Sequence, residues 1–311
     1  MIELKNLSKK FKETVAVNDI SLKIKNNEIF GLLGPNGAGK TTILLILVTV
    51  LRPTSGTAII NGFDVLSHPN EVRKQIGICF QDVKLDWALS YKDILNWHGK
   101  VCGLSKEVRE KRIAELTKKL RLEEAGKKSV WKLSGGMRKK VEVSKILLQR
   151  PKVAIFDEPT SNLDPEMKNI IWDYIKAMRD EYGSTVLLAT NQMEEADELC
   201  KNDRVAIINE GKLVTIDSPK KLKDSIPGGD IIEVKTNESA KSIREQLLNL
   251  DQVVDVQLTD NVAHIYLNQS EKIAPYILQI FIENKFIINK FKMSEPSLEE
   301  VFFKYTKRSL L

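Results

Sequence analysis

A chain of 311 residues, 42% apolar and 29% charged, is long enough for about two domains and apolar enough to bury a core, which excludes a disordered or fibrous protein. Its net charge of +6 and pI near 9.0 permit anionic partners, although lysines on solvated helix faces account for the same excess. Three widely separated cysteines, Cys79, Cys102 and Cys200, point to a reducing compartment and away from a disulfide framework. The opening residues alternate like a strand and not like a signal peptide, and the longest apolar run, 43–51, is too short to span a bilayer.

Residues 2–7 and 20–25 alternate in the manner of strands, with Phe11 in a polar connection between them, where an exposed ring could stack on a base or join a small packing cluster. The apolar run 29–33 leads into Gly34-Pro35-Asn36-Gly37-Ala38-Gly39-Lys40-Thr41-Thr42 and then into the apolar stretch 43–51. A strand, a glycine turn and a helix in this order read as a P-loop. Its backbone N–H groups cradle phosphates, Lys40 adds a charge for the β- and γ-phosphates, and Thr41 offers a hydroxyl to Mg²⁺. Residues 57–61 form another strand ended by the turn signal Asn61-Gly62. Beyond Gln81 the pattern becomes helical. Ser105 is the expected N-cap of a helix with Ile113, Leu116 and Leu120 on one face, inside a helical insertion of about 82–132.

Leu133-Ser134-Gly135-Gly136-Met137 opens a helix that runs to about Gln149, and small residues with a hydroxyl at that position form a second anion site. Val153-Ala154-Ile155-Phe156-Asp157-Glu158-Pro159 is a buried strand ending in two carboxylates. At such a strand end Asp157 is suited to hold Mg²⁺ and Glu158 to orient or deprotonate water. Ser161-Asn162-Leu163-Asp164 precedes a helix, 185–189 is another buried strand, and Thr190-Asn191-Gln192-Met193 sits at its end. A helix from about Glu194, a strand at 205–208 and a hairpin at Glu210-Gly211 follow.

Pro227-Gly228-Gly229 separates this part from a tail whose pattern alternates strand 230–236, helix 238–250, strand 252–259, turn Asp260-Asn261, strand 262–267, helix 271–284 and strand 286–293. That order is βαββαβ, a small α+β ferredoxin-like domain, closed by a helix after Pro296.

The P-loop at 34–42, Gln81, Leu-Ser-Gly-Gly-Met at 133–137, Asp157-Glu158 and the segment 161–164 together resemble the ATP-binding subunit of an ABC transporter over residues 1–218, with 219–311 as an accessory domain. The resemblance implies an α/β P-loop ATPase with a helical subdomain, using ATP and Mg²⁺. It implies that Phe11 stacks on adenine, that Gln81 reaches Mg²⁺ and senses the partner, and that Ser134, Gly135 and Gly136 close over the γ-phosphate held by an opposite subunit. It also places Asp164 at the dimer seam. The family usually has histidine in a Thr-His-x-Met-Glu-Glu-Ala run, where this chain has Asn191, and His68, His98 and His264 all lie outside the motif. Asn191 can donate to a γ-phosphate without a charge change, leaving hydrolysis to rest on Glu158. The segment 294–303 further resembles ATPases of daunorubicin-type exporters. The expected protein is therefore a cytoplasmic ATPase, peripheral on the inner face of the cell membrane, driving export through a separate permease. It would pair with a second ATP-binding subunit, a copy of itself or a different cassette. The alternative is a soluble ABC ATPase acting on nucleic acid or ribosomes, which the absence of sustained heptads in 43–132 and of a second cassette argues against.

Overall fold

In the computed structural model, which describes residues 1–81, 85–226, 228–237, 240–294 and 296–306, the apolar runs of the first part become the centre of a mostly parallel sheet. Contacts divide the chain into one unit of Met1–Asp217 and a second beginning at Ser218. Elements of the first unit are β1 (Ile2–Phe11), β2 (Thr14–Ile24), β3 (Ile29–Leu33), α1 (Lys40–Leu47), β4 (Ser55–Ile60), β5 (Phe63–Asp64), α2 (Pro69–Gln75) and β6 (Ile76–Cys79). These lead to α3 (Tyr91–Val101), α4 (Lys106–Lys119), α5 (Gly135–Gln149), β7 (Val153–Asp157), α6 (Pro165–Asp180), β8 (Thr185–Thr190), α7 (Met193–Leu199), β9 (Val205–Asn209) and β10 (Lys212–Asp217).

The sheet order is β10-β9-β3-β8-β7-β6, parallel except for the hairpin strand β10. Every residue of β3, β7 and β8 is buried, as expected where a parallel sheet is covered on both faces. A separate antiparallel sheet, β2-β1-β4-β5, packs its apolar side chains Ile2, Leu4, Val17, Ile20 and Ile60 into the same core as α1. Its first two strands are longer than the alternation at 2–7 and 20–25 indicates. Register shifts in the β1–β2 pair break the period, so Phe11 is the last residue of β1, opposite Thr14, and not part of a loose connection.

Within the helical insertion, Ser90 and Ser105 cap α3 and α4 by accepting from Asp93 N and Val108 N, each at 3.3 Å, and Ile113, Leu116 and Leu120 are buried. Cys79 and Cys200 are buried thiols, and burial pushes Cys79 up to about 12, so they pack and do not react.

The second unit comprises α8 (Pro219–Asp224), β11 (Asp230–Thr236), α9 (Arg244–Leu248), β12 (Val253–Thr259), β13 (Val262–Leu267), α10 (Ser270–Glu283), β14 (Ile288–Ser294) and α11 (Leu298–Thr306). Its antiparallel sheet runs β12-β13-β11-β14, the ferredoxin-like order, with Ile232, Val234, Ile265, Ile277 and Phe281 in the core. The helix expected over 238–250 is shorter: residues 238–239 lie outside the described residues, and a 3₁₀ turn at Ala240–Ile243 precedes α9. Pro227, Asp82 to Lys84 and Glu295 also lie outside them.

Gly56 has φ +72, and a Cβ there would lie 2.2 Å from the Asn6 carbonyl oxygen of the neighbouring strand. Gly56→Ala is therefore expected to cost about 2 kcal/mol or more, read as a lower unfolding midpoint with ATP affinity unchanged per folded molecule.

Candidate active site

Register places Leu33 opposite Thr190 and Ala189 opposite Asp157, so the segments leaving β3, β8 and β7 emerge side by side at one edge. The carboxyl edge of a parallel sheet is where such folds bind ligands. From β3 the loop 34–42 turns straight into α1. A Cβ at Gly34 would lie 2.3 Å from Ile208 O, and one at Gly39, where φ is +103, would lie 2.3 Å from Ala16 O, so only glycine permits this path. Gly39 provides no side-chain cap for α1, which leaves the first helical N–H groups to an anion.

Lys40 is buried, and its Nζ donates to the loop's own carbonyls, Gly34 O at 2.6 Å and Pro35 O at 3.1 Å. Burial lowers its pKa, while Glu158 and Asp157 oppose that shift. Thr41 Oγ1 donates to Asp157 Oδ2 at 2.9 Å, joining the start of α1 to the end of β7. Gln81 Nε2 donates to Glu158 Oε2 at 3.0 Å. Burial raises the Glu158 pKa, against the pull of Lys40. Asn191 Nδ2 reaches Asn36 Oδ1 at 3.4 Å, the long end of a hydrogen bond. Asn36, Lys40, Thr41, Gln81, Asp157, Glu158 and Asn191 thus form one connected set around the loop.

The remaining expected residues lie elsewhere. Ser134 caps α5 by accepting from Met137 N at 3.2 Å, and Asp164 caps α6 by accepting from Met167 N at 3.0 Å, a bond that holds its carboxyl below the usual range. Gly136 approaches Asn162, since a Cβ on it would lie 3.4 Å from Asn162 O. Among the described residues no hydrogen bond joins 134–136 or Asp164 to the loop 34–42. Phe11 is 43% exposed at the end of β1, with Lys9 Nζ 5.0 Å from its ring centroid.

Lys139 was not legible as a site residue. Its Nζ donates to Phe80 O at 3.1 Å and Gln81 O at 3.3 Å, so α5 holds the backbone that carries Gln81. The available signal is its phase, because Lys139, Val143 and Ile146 share the buried face of α5, where a lysine needs acceptors.

The donor set fits a polyphosphate: a charged amine, a glycine loop and an uncapped helix start, with the amine hydrogen-bonded, among the described residues, to carbonyls of its own loop. Consistent with this, residues 17–161 match the family model described as ABC transporter, and residues 218–306 match the model of the DrrA1-3-like ATP-binding protein C-terminal domain. A doxorubicin resistance ATP-binding protein DrrA of Mycobacterium tuberculosis is 44% identical over 67% of the chain, a match spanning 62% of that relative's length. The Nod factor export ATP-binding protein I of Cupriavidus pinatubonensis is 33% identical over the whole chain and 92% of its own length. A dimeric post-hydrolysis state of an ATP-binding cassette bound to ADP and Pi superposes with TM-score 0.64 at 27% identity, covering 70% of this chain and 98% of that one. The chain belongs to the ABC transporter family. The match at 218–306 sets it beside the drug-resistance members with a DrrA-like C-terminal domain.

Because burial disfavours the charge on Lys40, Lys40→Met is expected to melt no lower than the wild type without ligand. The same variant is expected to bind a fluorescent ATP analogue about tenfold or more weakly, through loss of a charge-assisted hydrogen bond.

Proposed function

We propose that the protein hydrolyses Mg²⁺-ATP as one of two facing cassettes and thereby drives export of a small molecule, drug or lipid-like substrate through a separate membrane permease. The observation that carries this reading is the joined pair of contacts Thr41–Asp157 and Gln81–Glu158, which set a metal-suited hydroxyl and carboxylate beside a raised-pKa carboxylate. Among the described residues no group of three or more His, Cys, Asp or Glu could hold a metal, so Mg²⁺ would arrive with the nucleotide and take Thr41, Asp157 and Gln81 together with phosphate oxygens. When bound, it neutralises charge on the phosphates.

This chain's residues supply the rest. Loop N–H groups and Lys40 hold the phosphates, and Phe11 supports the base. Glu158 accepts a proton from the attacking water, with Gln81 fixing its carboxylate. Asn191 donates to the γ-phosphate and keeps its charge state at all working pH. Ser134, Gly135, Gly136 and Asp164 fall outside the connected set of their own chain, which favours a role toward the loop of a facing subunit. A second copy of this chain is the simplest such subunit, because one chain carries both half-sites.

No helix among the described residues is long and apolar enough to cross a membrane. A cytoplasmic subunit docked on a permease accounts for the exposed indoles around the helical insertion: Trp87, Trp97 and Trp131 are 45%, 63% and 72% exposed. Trp87 meets Trp131 edge-on at 6.3 Å and carries Arg138 5.0 Å from its ring. Exposed aromatic and arginine groups of this kind are enriched at protein interfaces. The names of the relatives, doxorubicin resistance and Nod factor export, support the class of cargo.

Glu158→Gln protein retrieved with Mg²⁺-ATP from detergent-solubilised membranes is expected to bring down one polytopic membrane protein, and Trp97→Ala with Trp131→Ala to weaken that capture. Recovery of nucleic acid or ribosomes alone would overturn the exporter reading. A pH series gives a second check. Glu158 works ionised and burial raises its pKa, so the acid limb of kcat/KM is expected above the ordinary glutamate range of about 4.3. A limb at or below that range would contradict its role as base.

A further inference from the structure

Immediately after Glu158 the backbone is held in an unfavourable shape. Glu158 has φ 48, in the left-handed region that a glutamate rarely adopts, and Asn162 has φ 62, which asparagine tolerates. Such conformations persist where the surroundings over-determine them. Backbone and hydroxyl bonds secure part of the segment: Glu158 N donates to Ala189 O at 2.9 Å, and Ser161 Oγ donates to Glu158 O at 3.0 Å. The remaining anchor comes from another element. Thr160 is fully buried, and its Oγ1 donates to Glu195 Oε1 at 2.7 Å.

Glu195 lies on the first turn of α7, four residues beyond Asn191, and is 0% exposed. Its Oε1 also accepts from the indole Nε1 of Trp172 on α6 at 3.3 Å. One carboxyl oxygen therefore binds the segment after Glu158, the long helix α6 and the helix that follows Asn191. Lys168 on α6 adds a parallel tie, donating to Gln192 Oε1 at 2.8 Å.

We propose that Glu195 is a positioning residue for ATP hydrolysis, a buried strut that fixes the segment bearing Glu158 against the segment bearing Asn191. The inference rests on the roles assigned to Glu158 and Asn191 above. Glu195 offers its carboxyl as a hydrogen-bond acceptor to two elements at once. Burial pushes its carboxyl pKa up, against the pull of the Thr160 hydroxyl. Thr190, Trp172 and the charge of Lys168 pull the same way as Thr160, against burial. Glutamine keeps the accepting oxygen and the length, whereas alanine removes the strut and Thr160→Val removes one donor while keeping the shape of the site.

Turnover, KM for Mg²⁺-ATP, affinity for a fluorescent ATP analogue and melting temperature of the full chain test this. Glu195→Ala and Thr160→Val are expected to lower kcat about tenfold or more with KM and analogue affinity within about twofold, since small misplacements of reacting groups act on kcat. Glu195→Gln is expected to return kcat to within about threefold of the wild type. Wild-type kcat in Thr160→Val or in folded Glu195→Ala would overturn the proposal, as would a Glu195→Gln chain as slow as Glu195→Ala. If Glu195→Ala does not fold, Thr160→Val decides alone. Glu158→Gln in the same assay separates the two levels: full turnover there overturns the base assignment beneath the proposal, while a slow Glu158→Gln beside a fast Thr160→Val overturns the strut only.

Discussion

The structure depends on how closely the ends of β3, β8 and β7 emerge from one sheet edge. Because β8 lies between the other two and the register aligns Leu33 with Thr190 and Ala189 with Asp157, residues more than a hundred positions apart in sequence come within one hydrogen bond. The Thr41–Asp157 bond is that closeness made chemical. Buried strands on both sides give the edge no freedom to splay, so the loop 34–42 and the carboxylates are held by the core and not by the loops themselves. Burial also sets the electrostatics. The same removal from water that lowers the pKa of Lys40 raises that of Glu158, and each moderates the shift of the other.

Around this edge the fold holds the Gln81–Glu158 pair from a second direction. Lys139 on α5 grips the carbonyls of Phe80 and Gln81, while Gln81 grips Glu158. A displacement of α5, which packs against α3 and α4 of the helical insertion, therefore has a short route of hydrogen bonds to the carboxylate. The proposed indole surface for a membrane partner lies on that insertion, which gives the coupling a physical path through named atoms.

Much of this was legible in the sequence because the informative signals are local. Gly34 to Thr42 needs glycine at close backbone approaches, the runs 153–156 and 186–189 are apolar without interruption, and Ser105 caps its helix as its spacing indicates. The tail's strands 230–236 and 262–267 fall where alternation places them. What escaped is non-local. The true length of β1 and β2 is masked by register shifts, which only pairing reveals. The buried lysine and glutamate, Lys139 and Glu195, sit in helices whose sequences carry several other charged residues, and their acceptors and donors come from segments distant in sequence. The 3₁₀ turn before α9 escaped because a single turn of four residues is too short to show a period of its own.

Asn191 gives the site its individuality, since an amide at that position cannot titrate as imidazole does, and the proposed mechanism therefore assigns proton transfer to Glu158. Phosphate release from Mg²⁺-ATP by the purified wild-type chain and by Glu158→Gln tests that claim most directly, with ATP affinity measured in parallel. The account requires equal ATP affinity and a turnover lower by about a hundredfold or more in the variant. Undiminished phosphate release from Glu158→Gln would contradict it.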